Sequence, residues 1–211
     1  METIKAIYQA VYEGDALAAK EGVEAALQAG LPVDKIMQEG LIDAMSEVGR
    51  QFECGEFFVP EMLIAARAMQ AGLEPLRPLL AQSGVKSAGR VAIGTIKGDL
   101  HDIGKNLVAM MLEGAGFEII DLGTDVTPEK FVETVRQQKP QLVAMSALLT
   151  TTMSNMGHTI QALKDAGVRE QVKVIIGGAP VTQEYANQIG ADGFAPDASA
   201  AARLAKSLVE A

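Results

Sequence analysis

The sequence contains little of several residue types, and each shortage excludes a class of protein. A single cysteine, Cys54, among 211 residues excludes an intrachain disulfide framework and a cysteine-rich zinc or iron–sulfur site. There is no tryptophan, with three tyrosines and six phenylalanines, so stacking surfaces for bases or sugars are scarce. The 27 acidic residues outnumber the 18 basic ones, and the formal charge of −9 opposes binding to a phosphate backbone. We therefore expect no nucleic-acid partner.

Long apolar runs are absent as well. No run approaches the roughly 18 residues that a membrane span needs, and the first residues, METIKAIYQAVYEGD, lack the basic-then-apolar layout of a signal peptide. We expect a cytoplasmic protein with no membrane partner. With 48% hydrophobic and 21% charged residues, the composition is that of a globular protein of one large domain or two small ones.

The first part of the chain has helical periodicity, because apolar residues recur at spacings of three and four as far as about residue 81. Four helices are predicted, over residues 4–11, over 16–29, from Pro32 onward, and over 61–80. Short connections between them predict an antiparallel four-helix bundle. The small and polar stretch 82–90 then marks a change of periodicity. We place a helical cap domain at residues 1–83, a linker at 84–89 and a second domain at 90–211.

In the second domain, short β-rich runs alternate with helical stretches. This alternation predicts an α/β domain with a doubly wound, five-stranded parallel sheet of the flavodoxin-like or Rossmann-like kind, because parallel strands need crossovers that cover both faces. The strands are predicted at residues 90–95, 117–121, 142–146 and 172–176, with a weak fifth near Gly193. The helices are predicted at residues 103–115, 127–138, 152–166, 182–189 and 197–210.

Ligands of such a sheet bind outside the carboxyl ends of the strands. The loop after the first predicted strand contains Asp99 and His101, and His101 is one of only two histidines. A histidine that binds a metal through one ring nitrogen normally donates its other N–H to a carboxylate, a role for which Asp99 is well placed. Alternatively, Asp99 caps the next helix and His101 is a solvated loop residue.

A single histidine cannot hold a bare zinc or iron ion, which takes three or four protein ligands. A metal carried in a macrocycle needs only one axial ligand from the protein. Gly98 and Gly104 would let the backbone approach such a large ligand closely. The glycines and small hydroxyl residues at the ends of the third and fourth strands would leave a long slot beside it.

These residues resemble the signature of cobalamin-binding (corrinoid) proteins. The segment GDLHDIGKN, residues 98–106, is similar to the family's Asp-x-His-x-x-Gly motif, Ser146-Ala147-Leu148 to its Ser-x-Leu segment, and Gly177-Gly178 to its Gly-Gly segment. In the helical half, residues 45–52 and 57–62 resemble the cap of methionine synthase and of the methanogen corrinoid proteins. The resemblance covers nearly the whole chain.

The resemblance implies a role for each matching residue. His101 would displace the cofactor's own base and become the axial cobalt ligand, hydrogen-bonded to Asp99. Thr152 stands where family members often have a serine, and it would be the third member of a His–Asp–hydroxyl relay. The residues implied to bind the cofactor are Gly98, Asp99, Leu100, His101, Asp102, Ile103, Gly104, Asn106, Ser146, Leu148, Thr150, Gly177, Gly178, Ala179, Phe194, Ala195 and Asp197. Phe58, Met62 and Met69 are candidates to cover the corrin, although ordinary bundle core explains the same spacing.

The implied function is that of a corrinoid methyl carrier, similar to those for methylamines, methanol or glycine betaine, which is not catalytic alone. Cobalamin, in its methylcobalamin and cob(I)alamin states, would shuttle a methyl group from a substrate-specific methyltransferase to a second methyltransferase that uses tetrahydrofolate or a thiol. An ATP-dependent reductive activator would be a further partner.

Two alternatives stay within the cobalamin family: a cobalamin-dependent sensor or regulator, and the small subunit of an adenosylcobalamin mutase. Such regulators usually carry an N-terminal DNA-binding module, and such subunits usually lack a helical cap of this kind. A signalling receiver domain is the alternative outside the family. It would need an aspartate at the end of the third strand, where this chain has Ser146.

Overall fold

The structure is a computed structural model that describes residues 2–83 and 87–210, without the side chains of 81–83. The chain divides into two units, Met1–Lys86 and Ser87–Ala211. The predicted linker at 84–89 includes residues 84–86, which lie outside the described residues. No helix in the described ranges is long and apolar enough to cross a membrane.

The first unit is helical, and local signals delimit its helices. Asp15 begins the second helix by accepting a hydrogen bond from the backbone N–H of Ala18 at 3.0 Å, and Gly30, in a left-handed conformation with φ +73°, follows the end of that helix. The helices are α1 (Glu2–Glu13), α2 (Ala16–Gln28), α3 (Val33–Lys35), α4 (Asp43–Glu53), α5 (Val59–Leu73) and α6 (Arg77–Ser83). A π-helical segment, Ile36–Ile42, joins α3 to α4.

The prediction of one fourth helix over residues 61–80 is wrong. Helix α5 ends at Leu73, and a separate helix α6 begins at Arg77. The reason is Pro75, which has no backbone N–H to donate and disfavours the helical conformation of the residue before it. Pro78 falls in the first turn of α6, where a proline is tolerated.

The second unit has the predicted alternation of strands and helices. Its strands are β1 (Gly89–Thr95), β2 (Phe117–Asp121), β3 (Leu142–Ser146), β4 (Lys173–Gly177) and β5 (Gly193–Ala195). Its helices are α7 (Ile103–Gly114), α8 (Pro128–Gln138), α9 (Ser154–Asp165), α10 (Gln183–Ile189) and α11 (Ala198–Glu210), with a 3-10 turn at Arg169–Gln171. The first four predicted strands and all five predicted helices of this unit begin and end within two residues of the observed ones, and the fifth strand, predicted near Gly193 without bounds, is β5.

The five strands form one parallel sheet in the order β2-β1-β3-β4-β5, which confirms the predicted fold class. Buried apolar residues run along β1, β3 and β4, as expected for strands covered on both faces. The chain leaves β1 toward β2 on one side and later continues from β3 toward β5 on the other. The sheet therefore has its topological switch point between β1 and β3.

Candidate functional site

The carboxyl ends of four strands lie side by side at one edge of the sheet. Thr95 of β1 is paired in register with Ser146 of β3, Ser146 with Gly177 of β4, and Gly177 with Ala195 of β5. This register brings the loops after these strands together, although up to 100 residues separate them in the sequence. All the predicted cofactor-binding residues lie in these strand ends, in the loops that follow, or in the first turn of α7.

Asp99 and His101 form the centre of this edge. The Nδ1 atom of His101 lies 2.7 Å from Asp99 Oδ1, and the backbone N–H of His101 donates to the same oxygen at 3.1 Å. The Asp99 side chain is fully buried, whereas 51% of the His101 side chain is exposed. Thr95 is buried at the end of β1, and its hydroxyl donates to the His101 carbonyl oxygen at 2.8 Å. This bond ties the backbone of His101 to the end of the strand.

The second oxygen of Asp99 is held by the loop after β3. Its Oδ2 accepts hydrogen bonds from the backbone N–H groups of Leu148 at 2.8 Å and Leu149 at 3.2 Å. The Oγ1 atom of Thr152 lies 3.0 Å from Asp99 Oδ2 and 2.9 Å from the Leu149 carbonyl oxygen. Because a hydroxyl has one proton, Thr152 donates to one of these two acceptors at a time. The carboxylate thus joins the loops on both sides of the switch point.

These contacts determine the charge of Asp99. Burial alone raises the pKa of the carboxyl, but hydrogen bonds from the Leu148 backbone, from the His101 side chain and backbone, and from the Leu149 backbone outweigh it and hold the pKa well below its usual range. Asp99 is therefore a carboxylate at neutral pH. Beside an anionic acceptor, Nδ1 of His101 carries the ring proton, which leaves the lone pair of Nε2 available to a metal.

The Asp99 carboxyl does not cap α7, which was the alternative interpretation of its position. The residue at the N-cap of α7 is Asp102, and its side chain accepts no capping hydrogen bond from the helix backbone. Instead, Asp102 Oδ2 accepts from the Asn106 side chain at 3.2 Å.

Exposed apolar side chains are found in the segment of His101 and in the loop after β3 that bonds Asp99. Leu100, Ile103 and Leu148 expose 73%, 77% and 44% of their surface. A methyl group added at Gly104 would meet no atom within 4 Å, so the start of α7 is open on that side. Exposed apolar side chains of this size, grouped in loops that share the Asp99 carboxylate, are typical of a surface that a large ligand covers.

The ends of β4 and β5 contribute small residues in tight contact. Gly178 has φ +125°, and a Cβ atom there would lie 1.9 Å from the Ala147 carbonyl oxygen, so only glycine fits. A Cβ atom at Gly177 would lie 3.0 Å from the Ala195 carbonyl oxygen. Ala179 is exposed, Phe194 is partly buried against the core, and Asp197 accepts a hydrogen bond from the Ala200 N–H at 2.7 Å at the start of α11.

A buried lysine that the sequence analysis missed supports the first turn of α7. Lys105 is 2% exposed, and its Nζ atom lies 2.7 Å from both carboxylate oxygens of Asp121 and 2.7 Å from Asn106 Oδ1. Asp121 at the end of β2 also accepts the N–H of Gly123 at 2.9 Å. In the sequence, the one feature that could have pointed to a buried partner such as Lys105 is Asp121, a charged residue at the end of a predicted parallel strand.

The three predicted cap residues differ in exposure. Phe58, at the N-cap of α5, is 64% exposed, while Met62 and Met69 within α5 are each 2% exposed. Burial of the two methionines is typical of residues that fill a hydrophobic core.

Comparison with known protein families identifies both units. A B12 binding domain model matches residues 89–205, and a second B12 binding domain model matches residues 3–77. The chain belongs to the B12-binding family. Its cofactor is therefore a corrinoid of the cobalamin type, as the resemblance implied.

Relatives of known name are similar over almost the entire chain. The chain is 46% identical to the trimethylamine corrinoid protein 1 of Methanosarcina acetivorans, over 94% of this chain and 93% of that protein. It is 44% identical to the dimethylamine corrinoid protein 1 of the same organism, over 90% and 91%. The crystal structure of the methanol:cobalamin methyltransferase complex MtaBC from Methanosarcina barkeri contains a chain that matches with a TM-score of 0.87 and 31% identity, over 99% of this chain and 80% of that one. The protein is thus a corrinoid protein of the type that serves methyltransferase systems.

The residues at the sheet edge fit a corrinoid. A metal held in a macrocycle would need only one further ligand from the protein, and Nε2 of His101 would be available to supply it. Within the described ranges, no three His, Cys, Asp or Glu side chains are grouped so as to hold a metal ion. The exposed apolar residues Leu100, Ile103 and Leu148 and the open space at Gly104 suit a broad, flat ligand.

Proposed function

We propose that this protein is a methyl carrier that binds cobalamin in the base-off, His-on form and shuttles a methyl group between two methyltransferases. The observation that carries the proposal is the 2.7 Å contact of His101 Nδ1 with the buried Asp99 carboxylate, on a ring that stays half exposed. A bound corrinoid supplies a cobalt centre that can accept and release a methyl group. With Nδ1 occupied by Asp99, Nε2 is the nitrogen that remains for cobalt.

The relay controls where a proton resides. The lowered pKa of Asp99 keeps its carboxylate ionised, so a proton taken up by the relay resides on the imidazole and not on the carboxyl. A proton on Nε2 of His101 competes with the metal for the same lone pair. Thr152 Oγ1 can turn its single proton toward Asp99 Oδ2 or toward the Leu149 carbonyl, and the relay thereby adjusts to the charge of the imidazole.

The remaining predicted residues would hold the other parts of the cofactor. Leu100 and Ile103 would offer apolar surface to the corrin, and Leu148 would line the slot for its nucleotide tail. The ends of β3, β4 and β5, with Ser146, Thr150, Gly177, Gly178, Ala179, Phe194, Ala195 and Asp197, would hold its nucleotide tail. Among the three cap candidates, the exposure of Phe58 favours it as the residue that covers the corrin.

The proposed partners are a substrate-specific methyltransferase, a methylcorrinoid:acceptor methyltransferase that uses tetrahydrofolate or a thiol, and an ATP-dependent reductive activator. Likeness to methylamine corrinoid proteins over at least 90% of the chain supports the carrier role over a sensor or a mutase subunit. The predicted cytoplasmic location belongs to the same proposal.

The axial ligand can be tested by electron paramagnetic resonance. The protein is labelled with 15N-histidine, loaded with cobalamin and reduced to Co(II). We expect the superhyperfine pattern to change from the 14N triplet of the cofactor's own base to a 15N doublet. The doublet should disappear in His101→Ala and persist in His158→Ala, which removes the other histidine of the chain.

Two results would overturn the proposal at different points. A protein that takes up no cobalamin is not a corrinoid carrier. A protein that binds cobalamin but keeps the 14N triplet binds the cofactor with its own base on cobalt, and His101 then has another role.

A further inference from the structure

The turn that leads into the Asp99–His101 pair is held from three directions. Thr95 donates to the His101 carbonyl oxygen at 2.8 Å, and the Asn155 side chain of α9 donates to the Lys97 carbonyl oxygen at 2.8 Å. The third contact joins the N–H of Gly98 to the Asp125 side chain. Gly98 has φ +82°, and the backbone bends at this residue. The position of Gly98 therefore determines where the backbone places Asp99 and His101.

Asp125, in the loop between β2 and α8, holds this bend with two reciprocal hydrogen bonds. The N–H of Gly98 donates to Asp125 Oδ1 at 2.7 Å, and the N–H of Asp125 donates to the Asp99 carbonyl oxygen at 3.0 Å. The first bond is short and has a charged acceptor, which makes it one of the stronger kinds of hydrogen bond. The loop of Asp125 is in turn fixed to β1, because the N–H of Val126 donates to the Thr95 carbonyl oxygen at 2.9 Å.

The backbone of Asp125 is strained. Its φ is +54°, and within residues 2–83 and 87–210 Lys139 is the one other non-glycine residue with a positive φ. Lys139 follows the end of α8, a common place for a left-handed residue. Asp125 does not follow the end of a helix, so helix termination does not explain its conformation. The left-handed conformation instead directs both its N–H and its carboxylate to the same bend, and strain of this kind is found at functional sites.

We propose that Asp125 is a positioning residue for the axial ligand: it fixes the Gly98–Asp99 bend and thereby the orientation of the His101 ring. This inference rests on the proposed function, since it concerns how well His101 reaches cobalt. Asp125 contacts neither His101 nor Thr152 in any hydrogen bond of the structure, so its effect passes through the backbone of Gly98 and Asp99.

Substitutions can separate the side chain of Asp125 from its backbone strain. Asp125→Gly accepts the left-handed conformation but removes the carboxylate, while Asp125→Asn keeps an acceptor oxygen and also tolerates this conformation. Lys139→Gly is the matched control, because it relieves the same kind of strain away from the site.

The ratio of His-ligated to base-ligated Co(II) in the 15N-histidine spectrum is the first measurement. We expect it to fall about tenfold in Asp125→Gly, the lower end of the losses seen when a residue that orients a metal ligand is removed. It should stay near the wild-type ratio in Asp125→Asn and Lys139→Gly. Amide hydrogen exchange of Gly98 in the cofactor-free protein is the second measurement, and it should accelerate about tenfold in Asp125→Gly alone.

Equal ratios in all four proteins would overturn the inference, as would unchanged exchange of the Gly98 amide. If wild-type protein shows no 15N doublet, the proposed function fails, and the exchange experiment still tests whether Asp125 holds the bend. Should Asp125→Gly fold poorly by its melting curve, both measurements are repeated on Asp125→Gly/Lys139→Gly and on Lys139→Gly alone, since the second glycine relieves backbone strain away from the site.

Discussion

Asp99 accepts hydrogen bonds from four groups, two in His101 and the backbone N–H groups of Leu148 and Leu149, and Thr152 Oγ1 is a fifth group that donates to it only when it does not donate to the Leu149 carbonyl. A carboxylate has about four lone-pair positions, so its capacity is used fully. These donors stabilise the ionised form while the side chain is buried. The charge of Asp99 therefore contributes to the stability of the fold as well as to the orientation of His101.

The lowered pKa of Asp99 predicts a pH dependence of folding. Because the folded-state pKa lies below the ordinary value of about 4, the stabilisation is complete above that value and is lost as the pH falls toward the folded-state pKa. At pH 7, Asp99→Asn should lower the free energy of unfolding by about 2 kcal/mol, since an amide cannot satisfy the same donors. The gap between the two proteins should stay constant down to about pH 5 and narrow by about 1 kcal/mol per unit below about pH 4.

Urea unfolding of the cofactor-free wild type and Asp99→Asn between pH 7 and pH 3 measures this gap. Other carboxyl groups titrate in both proteins and cancel in the difference. A gap that remains constant to pH 3 would show that the charge of Asp99 does not stabilise the fold.

Helix α7 has a glycine in its first turn that packing within the protein does not explain. Gly104 lies in its first turn, where glycine is a poor helix former, and no atom lies within 4 Å of the place where a Cβ would stand. Packing within the protein thus does not require a glycine here. The resemblance to the cobalamin signature offers a reason, since a large ligand would occupy this space.

We therefore expect Gly104→Ala to stabilise the cofactor-free protein by about 0.5 kcal/mol, the scale of the difference in helix propensity, and to weaken cobalamin binding. Gly157→Ala in α9 is the matched control, because its Cβ would make only ordinary contacts, the nearest at 3.5 Å to Ile189. That variant should gain similar stability and bind cobalamin like the wild type. Thermal melts and cobalamin titrations measure the two effects. Unchanged cobalamin affinity in Gly104→Ala would mean that the cofactor does not approach this turn.

The whole molecule consists of two units that meet in sequence near residue 86. Both units match B12 binding domain models, one on each side of this point. The small and polar composition of residues 82–90 predicts a linker here, and trypsin cleaves exposed linkers faster than folded helices and strands.

Limited trypsin digestion of the whole chain should accordingly cut first after Lys86 and give fragments 1–86 and 87–211. Mass spectrometry identifies the fragments. In Lys86→Gln the first cut should be slower, because Arg90, the nearest other cleavage site toward the carboxyl end, lies within β1. First cuts within α1 to α5 or within the sheet would argue against a linker at this place.

Much of this architecture could be predicted from local sequence. Periodicity and alternation predicted the first four strands and the five helices of the second unit to within two residues, because buried parallel strands appear in the sequence as short apolar runs. The exception in the first unit was the break at Pro75, where a single residue without an N–H ended an otherwise apolar helical pattern.

The pair at the centre of the site could be predicted from local sequence, since Asp99 and His101 are two residues apart and one short loop brings them together. The groups that surround this pair could not be, because they come from distant parts of the chain. Leu148, Leu149 and Thr152 reach Asp99 across some 50 residues, and Asp125 reaches Gly98 across 27. No periodicity encodes such contacts, because they depend on the strand order β2-β1-β3-β4-β5. This order places the carboxyl end of β1 between those of β2 and β3, so the loops after the three strands meet.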